Sequence, residues 1–141
     1  MPKPDWFGES IVFNVAAPAA GVAAAVLPPA GTVWHVLSIS AAIVTDATVA
    51  NRTLYIAHVN GLYDTGMLLQ SVTIPATTTR YWECTSFYYG IPFVILSRFM
   101  FPLGPLCYLT NTNYLRLGVD AMQAGDQISS IYVTCERMLE D

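Results

Sequence analysis

Residues with catalytic or metal-binding chemistry are few in this chain, and their spacing does not bring them together. His35 and His58 are the only histidines, and each sits inside a run of strand-forming residues. A metal site on a β scaffold would want a His-x-His pair followed by a glutamate and a later histidine, but His35 is followed by Val36 and Leu37. Both imidazoles therefore read as packed strand residues rather than ligands. No Gly-x-Ser-x-Gly elbow presents a serine nucleophile, and Ser38, Ser40, Ser129 and Ser130 fall on alternating strand faces. Glu83, Asp120, Asp126 and Glu136 could in principle supply the paired carboxylates of glycoside hydrolysis, yet nothing in their spacing marks two as partners. Asp46, Asp64, Asp120 and Asp126 each lie beside a turn, where an Asp side chain accepts from nearby backbone N–H groups. Cys84, Cys107 and Cys135 are odd in number, far apart and without a Cys-x-x-Cys pair, so they read as small buried hydrophobes made in a reducing compartment. No catalytic residue, metal ligand or cofactor is predicted, and the chain reads as non-enzymatic.

Binding chemistry is better represented. Tyr81, Trp82, Phe87, Tyr88 and Tyr89 crowd into one run that ends at Gly90. Such rings stack on sugars or on single-stranded bases, and they are also the usual anchors of protein interfaces. Trp6 and Phe7 lie between Pro4 and Gly8 in an extended N-terminal arm, residues 1–10, and would gain by docking on their own domain or on a neighbouring subunit. Trp34 is set on the polar face of its strand and joins them as an interface candidate.

Scarcity of charge favours the protein interface. Only 11 % of the residues are charged while 54 % are hydrophobic, against about a quarter charged in an ordinary soluble domain. Much of the surface is therefore expected to be covered by other protein. Lys3, Arg52, Arg80, Arg98, Arg116 and Arg137 are scattered singly, so no basic run is available to neutralise phosphates. Nucleic acid and anionic membrane are accordingly not expected as partners. The apolar stretch 91–109 is cut by Arg98, Gly104 and the prolines 92, 102 and 105, which excludes a spanning helix of about 20 uninterrupted residues. An Ala-rich run over 15–27 follows Asp5 and Glu9 and is interrupted at Pro18, so it reads as mature protein rather than as a leader.

The elements that must hold these residues are strands. Ile11, Phe13 and Val15 alternate with Val12 and Asn14 in the first. A long strand over 32–44 sets Val33, Leu37, Ile39, Ala41 and Ile43 on one face and Trp34, Ser38, Ser40 and Ala42 on the other. Residues 51–59 form the next, stopped by the Asn60-Gly61 turn, followed by a strand over 67–74 stopped by Pro75. The aromatic run begins at Arg80, and 94–101 reads as a single strand flanked by loops. Two short strands surround Asn111-Thr112-Asn113, and after the turn Gln123-Ala124-Gly125-Asp126 a last strand over 128–136 turns Ile131, Val133 and Cys135 one way and Tyr132, Thr134 and Glu136 the other. About eight or nine strands with no convincing long helix are the pattern of a two-sheet sandwich. The prediction is an all-β chain: the arm 1–10 and one antiparallel, jelly-roll-like β-sandwich, 11–141.

Three stretches, 27–36 (Leu-Pro-Pro-Ala-Gly-Thr-Val-Trp-His-Val), 49–54 (Val-Ala-Asn-Arg-Thr-Leu) and 123–131 (Gln-Ala-Gly-Asp-Gln-Ile-Ser-Ser-Ile), carry a resemblance. An apolar strand after a Pro-Gly turn, an Asn-Arg at a strand start and a Gly-Asp turn before the last strand resemble the jelly-roll decoration or cement proteins of tailed-phage capsids. The resemblance covers about half the chain, and residues 90–105 fall outside it. It implies a virion structural protein, made in the host cytoplasm, that sits on the capsid surface as a homotrimer and bridges subunits of the major capsid protein. Two readings stand beside it: another head-tail structural protein, and a carbohydrate-binding sandwich of a tail or surface appendage that stacks sugars on Tyr81, Trp82 and Tyr88.

Overall fold

The computed structural model describes residues 9–61, 63–69, 73–86, 93–104 and 107–139. All regular structure among them is β. The strands are β1 (Glu9–Val15), β2 (Ala24–Val26), β3 (Thr32–Val44), β4 (Thr53–Asn60), β5 (Tyr63–Leu69), β6 (Thr79–Thr85), β7 (Phe93–Ile95), β8 (Arg98–Pro102), β9 (Tyr108–Leu109), β10 (Asn113–Asp120) and β11 (Gln127–Leu139). They form a seven-stranded sheet in the order β1-β11-β3-β6-β8-β7, with β9 pairing β3 to one side, and a four-stranded sheet in the order β2-β10-β4-β5. All pairings are antiparallel except β6 with β8. The quartets β1-β11-β3-β6 and β2-β10-β4-β5 have the connectivity of a jelly roll, two packed sheets whose interleaved strands leave few edges, here with β7, β8 and β9 inserted before β10.

β3 and β11 are the spine, each 13 residues long and paired along nearly their whole length. Two bulges interrupt that pairing, and each reverses which residues face the core. Thr134 pairs with Ser38 but Cys135 with Val36, so Leu37 is the extra residue in β3. Before it Trp34 and Val36 point inward; after it Ile39, Ala41 and Ile43 do. The alternation expected from the sequence holds only past Leu37, and Trp34 is a core residue, 3 % exposed and stacked on Phe13 at 4.8 Å between ring centroids. In β11 the extra residue lies between Ser129 and Tyr132, where Ser130 has φ of 52°. A one-residue slip inverts every later side chain, and the bulge is how a strand moves its apolar set without losing its partners.

Other boundaries also move. β1 begins at Glu9, two residues inside the expected arm, and β5 begins at Tyr63 rather than at residue 67. The single strand expected over 94–101 is a hairpin of β7 and β8.

The core is filled from both sheets, with Trp82, Phe99, Phe101 and Ile39 from the larger and Leu54, Ile56 and Leu117 from the smaller. Trp82 also crosses between them, donating its indole N–H to the Tyr55 carbonyl of β4 at 3.1 Å. On the outer side of the smaller sheet the Tyr55 ring lies directly over Gly118 of β10, where any Cβ would collide with it. A glycine in mid-strand is thus required by close approach.

One end of the sandwich is closed by charge. Arg52, just before β4, has no exposed side-chain surface, and neither has Asp126. Arg52 Nε donates to Asp126 Oδ2 at 2.7 Å and its Nη2 to Asp46 Oδ1 at 2.6 Å. Asp126 Oδ1 accepts from the backbone N–H of Asp46, and its Oδ2 from that of Gln123. Asp46 in turn accepts from the N–H groups of Thr48 and Gly125. The cluster joins the segment after β3, the entry to β4 and the turn before β11, so both sheets are pinned at this end.

Burial pushes the Asp126 carboxyl up, but the Arg52 guanidinium and the two backbone donors favour its ionised form more, leaving it below the ordinary aspartate range. Its folded pKa is lower than its unfolded one, so it stabilises the fold above about pH 4 and that contribution is lost as pH falls through the folded value. Asp126→Asn leaves the buried guanidinium short of a counter-charge and should cost about 3–5 kcal/mol in urea unfolding at pH 7. The variant should also lack part of the wild-type loss of stability on acidification. A cost under about 1 kcal/mol would show that the pair is not holding this end together.

Candidate protein interface

The outer face of the seven-stranded sheet is read off the registers row by row. One row runs Val12, Thr134, Ser38, Thr85, Pro102; the next runs Asn14, Tyr132, Ser40, Glu83, Met100; a third runs Ala42, Tyr81, Arg98, Ile95. Glu83 and Arg98 are the only charges on these rows, and they bond to each other at 3.0 Å. The centre of a broad β face therefore presents apolar and hydroxyl groups and one self-neutralised ion pair. Tyr81, Tyr132, Val12 and Ile95 are among its exposed large side chains. Past the Leu37 bulge the face continues with Glu136, His35 and Tyr108, where the imidazole stacks on the tyrosine ring at 4.7 Å and its Nδ1 lies 3.4 Å from Glu136 Oε2.

The residues singled out from sequence divide sharply. Tyr81 stands on this face, 39 % exposed. Trp82, its neighbour, points the other way and is completely buried, as Trp34 is nearly so; neither ring can meet a partner, and a sugar platform that includes Trp82 is not formed. Trp6, Phe7, Phe87, Tyr88 and Tyr89 lie outside the described residues. Tyr132, Ile95 and Leu96 were not among the interface candidates. The alternation of the last strand already set Tyr132 opposite Ile131, and it stands exposed. Ile95 and Leu96 could not be found, because Leu-Ser carries no turn signal and the hairpin was invisible.

Among the described residues no group of three or more His, Cys, Asp or Glu could hold a metal ion. The Asp46 and Asp126 carboxylates are consumed by Arg52 and backbone donors, a structural use. No described helix is long and apolar enough to cross a membrane. All three cysteines are free thiols. Burial pushes Cys107 up to about 11 and, against the opposing charge of Arg137, Cys135 up to about 11. Burial raises Cys84 further still, aided by Glu83 and Cys107 nearby. Thiols this far from ionisation are poor nucleophiles. No protein-family model, curated protein or solved structure matches this chain.

Alkylation should read these thiols directly. Iodoacetamide at pH 8 should leave Cys84 and Cys135 unmodified in the native protein and label both within minutes in urea. Rapid native labelling of either would contradict the strand placement.

Proposed function

We propose that this chain is a non-enzymatic structural protein of a virion, a capsid decoration or cement protein that works as a homotrimer and bridges neighbouring subunits of the shell. The observation that carries this reading is the outer face of the larger sheet: three adjacent rows whose only charges neutralise each other. A surface of that kind is poorly suited to remain in water and well suited to the core of a permanent contact, where charge is depleted and Tyr and Met are enriched. The jelly-roll connectivity supports the reading as analogy, because that architecture is common among capsid proteins. Trimers suit the local three-fold positions of a shell, where one closed ring contacts several shell subunits at once.

Purified particles test it. Quantitative mass spectrometry of gradient-purified virions should find the chain at a fixed ratio to the major capsid protein that matches the shell three-folds. Particles depleted of it should release their contents at lower temperature. Absence from purified particles would overturn the reading.

A further inference from the structure

β1 ends the seven-stranded sheet, and among the described residues no strand lies beyond it. Edge strands are ordinarily kept from pairing by charge, proline, a bulge or shortness. β1 has none of these protections: it is seven residues long, it pairs β11 without a register shift, and residues 10–15 contain no charge and no proline. The other edges are weaker templates, since β7 and β2 have three residues each and the β4–β5 pairing is bulged at His58 and Val59. The core is also left open along β1. Ile11, Phe13 and Val15 are half-buried, while their partners across the ladder, Cys135, Val133 and Ile131, are completely buried. On the outer side Ser10 and Asn14 are exposed and Val12 is 63 % exposed. A backbone edge with apolar residues on both faces is what another extended strand recognises.

Which strand fits follows from the residues of β1. A two-fold axis perpendicular to the sheet at Val12 sets β1 antiparallel to its own copy and keeps core side beside core side and outer side beside outer side. Ser10 then opposes Asn14 of the copy, Ile11 opposes Phe13, and Val12 opposes itself. Each pair is matched in kind, hydroxyl with amide, aliphatic with ring and valine with valine, as cross-strand neighbours should be. Moving the axis one residue either way breaks the match, because it sets Ser10 against Val12 or Val12 against Asn14. A residue on the axis meets its own like, so a charge there would repel itself. The residue on this axis is a valine.

We infer that two copies of this chain pair edge to edge through β1, antiparallel about a two-fold axis at Val12, so that their larger sheets run into one continuous sheet and their low-charge outer faces into one surface. The contact covers the open flank at Ile11, Phe13 and Val15 from both sides at once. It goes beyond the reading above and stands without it: a two-fold contact cannot close a trimer, and where trimers form it joins one to the next.

Introduced cysteines read the register in the intact chain, with wild type under the same oxidant as the control for its native thiols. Val12→Cys should give a disulfide-linked dimer on treatment with diamide. Ser10→Cys mixed with Asn14→Cys should give a mixed disulfide that neither variant forms with itself. Equivalent residues of the two copies are offset there by four positions, about 14 Å along the strand, and a disulfide needs Cα atoms within about 7 Å. Val12→Lys sets like charges face to face on the axis and should weaken association at least about tenfold by sedimentation velocity, with the far-ultraviolet circular dichroism unchanged because the replaced side chain is exposed. No dimer from Val12→Cys, a Ser10→Cys variant that links to itself as readily as to Asn14→Cys, or unchanged association in Val12→Lys would each overturn the inference. So would Val12→Cys linking to a shell subunit in particles and never to its own copy. A trimer that forms with none of these links would remove this contact and leave the virion reading in place.

Discussion

A guanidinium with no exposed surface, held between two carboxylates, sets the geometry of one end of this molecule. Taking Arg52 and Asp126 out of water costs several kcal/mol per ion, which their attraction offsets only when the remaining lone pairs are also filled. Here the carboxylates are filled, each Asp126 oxygen accepting from a backbone N–H and Asp46 from two more, while Arg52 Nη1 is buried without a hydrogen-bond partner. The geometry is demanding, since the donors come from the segment after β3 and the turn before β11 while the cation arrives from the entry to β4. Thr45 extends the lock by exchanging hydrogen bonds with Thr78, which places the start of β6. The row from Ala42 to Tyr81 lies close to the cluster in the chain, Ala42 shortly before Asp46 and Tyr81 shortly after Thr78.

The same sequence shows why some of this was readable and some not. Strand positions were legible wherever β-branched and aromatic residues ran between turn residues; 32–44 was placed to the residue, and the Asn60-Gly61 turn was plain although the strand after it was set to begin at 67. Face assignment failed at Trp34, because alternation has no memory of a bulge and nothing in Val36-Leu37-Ser38 announces one. The ion cluster was hidden for a different reason. Asp46 and Asp126 do serve their turns as expected, and only the fold reveals that a lone arginine 74 positions from Asp126 completes both. The β7–β8 hairpin was illegible because its turn breaks local rules, and a broken local rule is where function is most often found.

These features meet on one surface. The larger sheet presents a broad outer face with little charge, the face that the proposed function would cover. Its interior side is a conventional core built around Trp82, Phe99 and Phe101. Its exterior repeats the economy of a core with hydroxyls and alanine in place of aliphatics. Tyr81 and Tyr132, flanking β3, are among the large rings left standing there.

Hydroxyl-radical footprinting reads that face side chain by side chain. Tyr81, Met100 and Tyr132 should oxidise in the free chain and be strongly protected in the particle-bound one, while Val49, 91 % exposed and away from the face, reacts equally in both. Equal oxidation of Tyr81, Met100 and Tyr132 in the free and particle-bound chain would contradict the claim that this sheet is the surface through which the protein works.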